Sequence, residues 1–103
     1  MSFFAKTDKA VAKEIGARLK ALRLKKNLMQ KEIARMTGLS VKAVQTAEKG
    51  ESRLLTYIKI LRALDALDAL DSFLPVVNYS PLELARMEGK KRQRATRPRK
   101  IKE

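Results

Sequence analysis

The chain has 103 residues, of which 24 are Lys or Arg and 11 are Asp or Glu, a formal net charge of +13. That length suits one domain of ordinary size plus a tail, since domains run about 100–150 residues. With neither Cys nor His, disulfide frameworks, thiol catalysis, Cys-bearing zinc sites and the usual general base are excluded; no cofactor or metal is expected. No apolar run approaches the ~20 residues that span a bilayer. Met1-Ser2-Phe3-Phe4-Ala5 also lacks the basic and long apolar regions of a secretory signal. The expectation is a soluble, cytoplasmic, nucleoid-associated protein that is not an enzyme. The only aromatic residues are Phe3, Phe4, Tyr57, Phe73 and Tyr79, so the core must come from aliphatic side chains, which favours helices.

After an N-terminal arm over 1–9, Val11, Ile15, Leu19 and Leu22 recur at helical spacing and predict a first helix from Ala10 to Lys26. Asn27 is its stop, because Asn tolerates the left-handed conformation. A second helix spans Gln30 to Thr37 with Ile33 and Ala34 inward. Gly38-Leu39-Ser40 makes the turn, with Ser40 as N-cap of a third helix from Val41 to Lys49. Val44 and Ala47 face its core side, and Gly50 follows its end. A fourth helix, Leu54 to about Leu64, is expected to bury Leu55, Ile58 and Leu61. The following Ala-Leu-Asp triplets drift around a helix, so a short fifth helix is expected to carry Leu67, Leu70 and Phe73 up to Leu74 and Pro75. Val76-Val77-Asn78-Tyr79 reads either as an extended linker or as a β-ribbon across a dimer axis. Ser80-Pro81-Leu82-Glu83 then carries a capping box and predicts a last helix to about Glu88.

The charge divides at Gly89. Residues 1–88 hold 16 basic and 10 acidic residues, whereas 89–103 hold eight basic residues and one acid. That second stretch, with one large apolar residue, is expected to be disordered and to act as a phosphate-binding arm through cations such as Lys90, Lys91, Arg92 and Arg94. The organisation is thus an arm over 1–9, a folded body over 10–75, a linker and short helix over 76–88, and a basic tail.

Two short helices around a Gly-containing turn are common by themselves. The run from Met29-Gln30-Lys31-Glu32 through Thr37-Gly38-Leu39-Ser40-Val41-Lys42 to Ala47-Glu48-Lys49-Gly50-Glu51 is more specific, and closely resembles the Cro/cI-type, XRE-like repressor family over about residues 12–74. The resemblance implies an all-α fold, a five-helix lambda-repressor-like helix-turn-helix domain whose third helix enters the major groove of double-stranded operator DNA. It implies base readout by Val41, Lys42 and Thr46, with Gln45 close enough to share that work, and phosphate contacts by Gln30, Ser40, Lys49, Ser52 and Arg53, Gln30 also bracing against the third helix. Lys can donate to guanine O6 or N7 and Val can touch a thymine methyl. The family's bridge between an Arg on the first helix and a Glu on the third falls on Arg23 and Glu48. Met29 stands where the family places a Ser or Thr cap. The family also binds paired half-sites as a homodimer, for which Leu67, Leu70, Phe73, Leu74, Val76 and Val77 are the candidate surface.

The C-terminal passage, Ser72-Phe73-Leu74-Pro75 through Ser80-Pro81-Leu82-Glu83-Leu84 to Gly89-Lys90-Lys91-Arg92, resembles HipB-like antitoxins. That implies an autoregulatory partner of a HipA-like Ser/Thr kinase toxin, with Leu82, Leu84 and Met87 either docking the kinase or capping the domain. The alternatives are a phage or mobile-element repressor with no toxin, and a general nucleic-acid binder driven by the tail.

Overall fold

The structure, a computed structural model, describes residue 3 and residues 5–95, with side chains as far as Lys90. Six helices follow one another: α1 Asp8–Lys25, α2 Gln30–Thr37, α3 Val41–Glu48, α4 Leu54–Ala63, α5 Ala69–Phe73 and α6 Pro81–Ala95. Among the described residues there is no strand. The chain divides into two units, Met1–Phe73 and Leu74–Glu103.

In the first unit, α1 begins earlier than the apolar spacing suggests. Thr7 Oγ1 accepts the Ala10 N–H at 3.1 Å, and Asp8 sits in the first turn, where a negative charge complements the helix dipole. Residues 8 and 9 therefore belong to the helix rather than to the arm. Of the arm, Phe3 lies with its ring 4.7 Å from the Arg18 guanidinium, which also pairs with Glu14 at 3.0 Å.

The helix ends are written locally. Asn27, Gly50 and Asp65 all adopt positive φ (58°, 81° and 56°) just past α1, α3 and α4. In each case the next N–H reaches back to a carbonyl five residues earlier: Leu28 to Arg23, Glu51 to Thr46, Ala66 to Leu61. These are Schellman terminations, which satisfy carbonyls the helix leaves open. Gly38, at φ 79°, ends α2 with a single bond from its N–H to the Ala34 carbonyl. α3 is capped at its start by Ser40, whose Oγ accepts the Ala43 N–H at 3.0 Å. Met29 offers no such oxygen, but Glu32 supplies the other half of a capping box by accepting the Met29 N–H at 2.7 Å.

α1 and α2 both pack on α3, and α4 closes the group against α2 and α3. The buried core is Leu19, Ile33, Ala34, Val44, Ala47, Ile60 and Leu64, flanked by Leu22, Leu28, Leu39, Tyr57, Leu61 and Ala66. The inward face of α4 differs from the expected one. Leu55 is 62% exposed, and the buried stripe runs Tyr57, Ile60, Leu61, Leu64, rotated from the Leu55–Ile58–Leu61 line. Both lines have helical spacing; the difference is that Tyr57 turns its hydroxyl to α3 and brings its ring inward. α5 begins only at Ala69, and Phe73 and Leu74 are exposed.

In the second unit, residues 74–80 have no regular structure, and Val76 and Val77 lie exposed. The capping box of α6 forms as its sequence suggests: Ser80 Oγ accepts the Glu83 N–H at 3.2 Å, and Glu83 Oε1 accepts the Ser80 N–H at 2.9 Å. The helix does not stop at Glu88. It passes through Gly89 to Ala95, so residues 89–95, expected in a disordered tail, are helical. Gly inside a helix costs only about 1 kcal/mol against Ala, and the Lys, Arg, Gln and Ala that follow are strong helix formers. The rest of the expected tail, 96–103, lies outside the described residues.

Candidate nucleic-acid interface

α3 is divided lengthwise. Val44, Ala47 and Glu48 are buried, while Lys42, Gln45 and Lys49 are exposed along one line at spacings of three and four. Val41 is exposed at the first helical position. Thr46 is half-buried, its hydroxyl donating to the Lys42 carbonyl at 2.9 Å. The four residues expected to read bases thus share the outward side of one helix, although the Thr46 hydroxyl already spends its proton on the backbone.

What holds that side outward is a polar cluster behind it. Arg23 on α1 donates from Nε to Glu48 Oε2 at 2.6 Å and from Nη2 to Oε1 at 3.2 Å. Its Nη1 donates to the Leu28 carbonyl at 2.7 Å. Both charged side chains are more than nine-tenths buried. Two parallel bonds of this kind fix direction as well as distance. Gln30, at the start of α2, donates from Nε2 to Glu48 Oε1 at 3.0 Å, and its own Oε1 accepts from Gln45 Nε2 at 3.3 Å. The Arg23–Glu48 bridge is where the family resemblance puts it. The resemblance also has Gln30 brace the third helix; that its partners there are Glu48 and Gln45 emerges only from the crossing of α2 and α3.

The seating of α3 against α1 has a second cause, in backbone contact. A Cβ on Gly16 of α1 would lie 2.5 Å from the Gly50 nitrogen and 2.6 Å from the Glu48 carbonyl oxygen. A Cβ on Gly50 would lie 2.1 Å from the Ala12 carbonyl oxygen. The two helices therefore meet at bare backbone. Gly16 gives no sign of this in the sequence, where it reads as a helix-weakening residue.

The segment after α3 carries Lys49 and Arg53, both exposed, and Ser52, half-buried. Tyr57 ties it down: its hydroxyl donates to the Ala47 carbonyl at 2.8 Å and accepts weakly from the Ser52 N–H at 3.5 Å. Burial pushes this hydroxyl above its ordinary value of 10.0; the Ser52 hydrogen bond opposes the shift and Glu51 adds to it. A folded value above the unfolded one means the contribution is whole below about pH 10 and fades as pH rises through the folded value. Tyr57→Phe is expected to lose about 1 kcal/mol at neutral pH and to flatten the alkaline part of the stability curve, both readable in urea melts. Of the other expected contacts, Ser40 is exposed and serves as the α3 cap, and Gln30 is half-buried. Lys90 is exposed on α6, as are its apolar residues Leu82, Leu84 and Met87; Lys91, Arg92 and Arg94 lie on the same helix.

Compared with known protein families, residues 14–72 match a helix-turn-helix domain, more than half of the chain. The chain belongs to the helix-turn-helix family. Within it the type is XRE-like, a DNA-binding family whose members are typically not enzymes. The helix-turn-helix is α2, the Gly38–Ser40 turn and α3, and the match takes in α4 and most of α5. No curated protein matches the chain. Among the described residues no helix is long and apolar enough to cross a membrane.

Proposed function

We propose that this helix-turn-helix protein is a sequence-specific transcriptional repressor that binds paired operator half-sites as a homodimer. The reading is carried by α3, whose inner side is fixed by a buried ion pair while Val41, Lys42, Gln45 and Thr46 lie on the other. Placed in a major groove, Lys42 donates to guanine and Val41 packs on a thymine methyl. Gln30, Ser40, Lys49, Ser52 and Arg53 grip the flanking phosphates and set register, while Lys90, Lys91, Arg92 and Arg94 add affinity without choosing sequence. The residues proposed for the two-fold contact are Leu67, Leu70, Phe73, Leu74, Val76 and Val77, of which the last four are exposed. In the fuller form of the proposal the chain is the autoregulatory antitoxin of a HipA-like Ser/Thr kinase, on the nucleoid in the cytoplasm. Its support is the resemblance of the C-terminal passage; a repressor without a toxin is the alternative, and a kinase-like neighbouring gene separates the two.

The basic stretch supports a second reading, a general nucleic-acid binder. Selection of duplexes from a randomised pool by the full-length chain decides between them. A repressor enriches one motif and binds it about 10³-fold or more above scrambled DNA; a general binder shows less than about tenfold. Lys42→Ala is expected to cost about 1–3 kcal/mol and to relax preference at one position of each half-site. An unchanged preference removes Lys42 from the readout.

A further inference from the structure

A carboxylate can only accept hydrogen bonds, so the Gln30 amide that meets Glu48 Oε1 at 3.0 Å must do so with its NH2 group. Its carbonyl oxygen is thereby turned toward Gln45, whose amide must answer with its own NH2, at 3.3 Å. Glu48 cannot turn away, because Arg23 holds both of its oxygens, at 2.6 and 3.2 Å. The chain of donation therefore has one sense only, from the exposed Gln45 through Gln30 into the buried carboxylate. A glutamine free to rotate its last torsion exchanges donor and acceptor and can satisfy more than one pattern of base edge. Gln45 lacks that freedom: one N–H is committed inward, leaving its carbonyl oxygen and its second N–H.

We propose that Glu48, buried and out of reach of any DNA, is a positioning residue for base readout: it fixes the amide sense of Gln45, so that this side chain offers one acceptor and one donor and selects adenine. Adenine presents the matching pair in the major groove, the N6 donor and the N7 acceptor; guanine presents two acceptors there and satisfies only half of the amide. This rests on the recognition-helix reading above and adds to it a base and a residue that decides it.

The test is duplex selection with the full-length chain and three variants, Gln45→Ala, Glu48→Gln and Gln30→Met. A Gln at position 48 keeps the shape but can donate or accept, so it no longer dictates the sense of Gln30. Gln30→Met cuts the link while leaving the ion pair intact, which keeps the question open to experiment if Glu48→Gln fails to fold. Circular dichroism first establishes that each variant is native at the assay temperature. Wild type is expected to prefer adenine at one position of each half-site by about tenfold or more, Gln45→Ala to lose that preference, and both link variants to reduce it to about threefold or less. Positions read by Lys42 keep their preference throughout. Adenine preference retained in folded Glu48→Gln and in Gln30→Met overturns the proposal. So does a Gln45→Ala profile identical to wild type; if Lys42→Ala still alters its own position, the recognition-helix reading survives that result. A wild-type chain that enriches no sequence refutes both.

Discussion

A chain carrying Gly50→Ala is expected to lose a large part of its folding stability at 25 °C. Two costs fall on the same methyl group. At φ 81° an L side chain meets left-handed strain of about 1–2 kcal/mol. The new Cβ would also stand 2.1 Å from the Ala12 carbonyl oxygen, which belongs to helix backbone and cannot swing aside. Overpacking of this kind costs about 1–3 kcal/mol even against side chains that can adjust. A domain of this size has only about 3–10 kcal/mol of stability in all. Two other glycines serve as controls. Gly38→Ala has nearly the same φ, 79°, but nothing within 4 Å, so it should lose only the strain, about 1–2 kcal/mol. Gly16→Ala has the close contact without the positive φ, and helix propensity returns about 1 kcal/mol; it should fall between. Urea melts of the three give the order Gly50, Gly16, Gly38 from worst to mildest. Equal losses at Gly50 and Gly38 would show that the two backbones do not press on each other.

The second large effect is expected at Arg23. Replacing it by Met keeps most of the packing but strands the Glu48 carboxylate with Gln30 as its remaining partner. Breaking a buried pair from one side costs about 3–5 kcal/mol, because the charge left behind is no longer compensated. The loss should change little with added salt, since solvent ions do not reach a pair more than nine-tenths buried. Removing both charges, as Arg23→Met with Glu48→Leu, should recover much of the stability. A double variant no better than Arg23→Met alone would mean that packing rather than charge sets the cost.

Helix ends were the most legible part of this sequence, because Asn27, Gly38, Ser40 and Gly50 act through their own backbone or the next turn. The choice of inward face was less so. Leu55 and Tyr57 both lie on helical stripes in α4, and only α3, which receives the Tyr57 hydroxyl, decides which stripe turns in. The start of α1 is not legible in the apolar spacing, which begins at Val11, because the cap, Thr7, lies upstream of it. Gly89 misled in the opposite direction: it looks like a stop, yet nothing near it requires a positive φ and the helix runs on. In the interface, the exposed line on α3 and the Arg23–Glu48 bridge follow from spacing and from family resemblance. The resemblance also has Gln30 brace the third helix, but its partners Glu48 and Gln45, and the bare contact of Gly16 with Gly50, depend on where helices cross, and no single segment carries that information.

That bare contact also bears on how such a protein can change. Because α3 is seated by backbone and by residues on its buried side, nothing in its placement depends on the size or charge of Lys42 or Lys49. Substitutions at these exposed positions should drift at little thermodynamic cost, and a new operator can be acquired by exchanging Lys42 on an unaltered frame. Gln45 is the exception, tethered to the frame by Gln30, and should be the slowest of the outward residues to diverge.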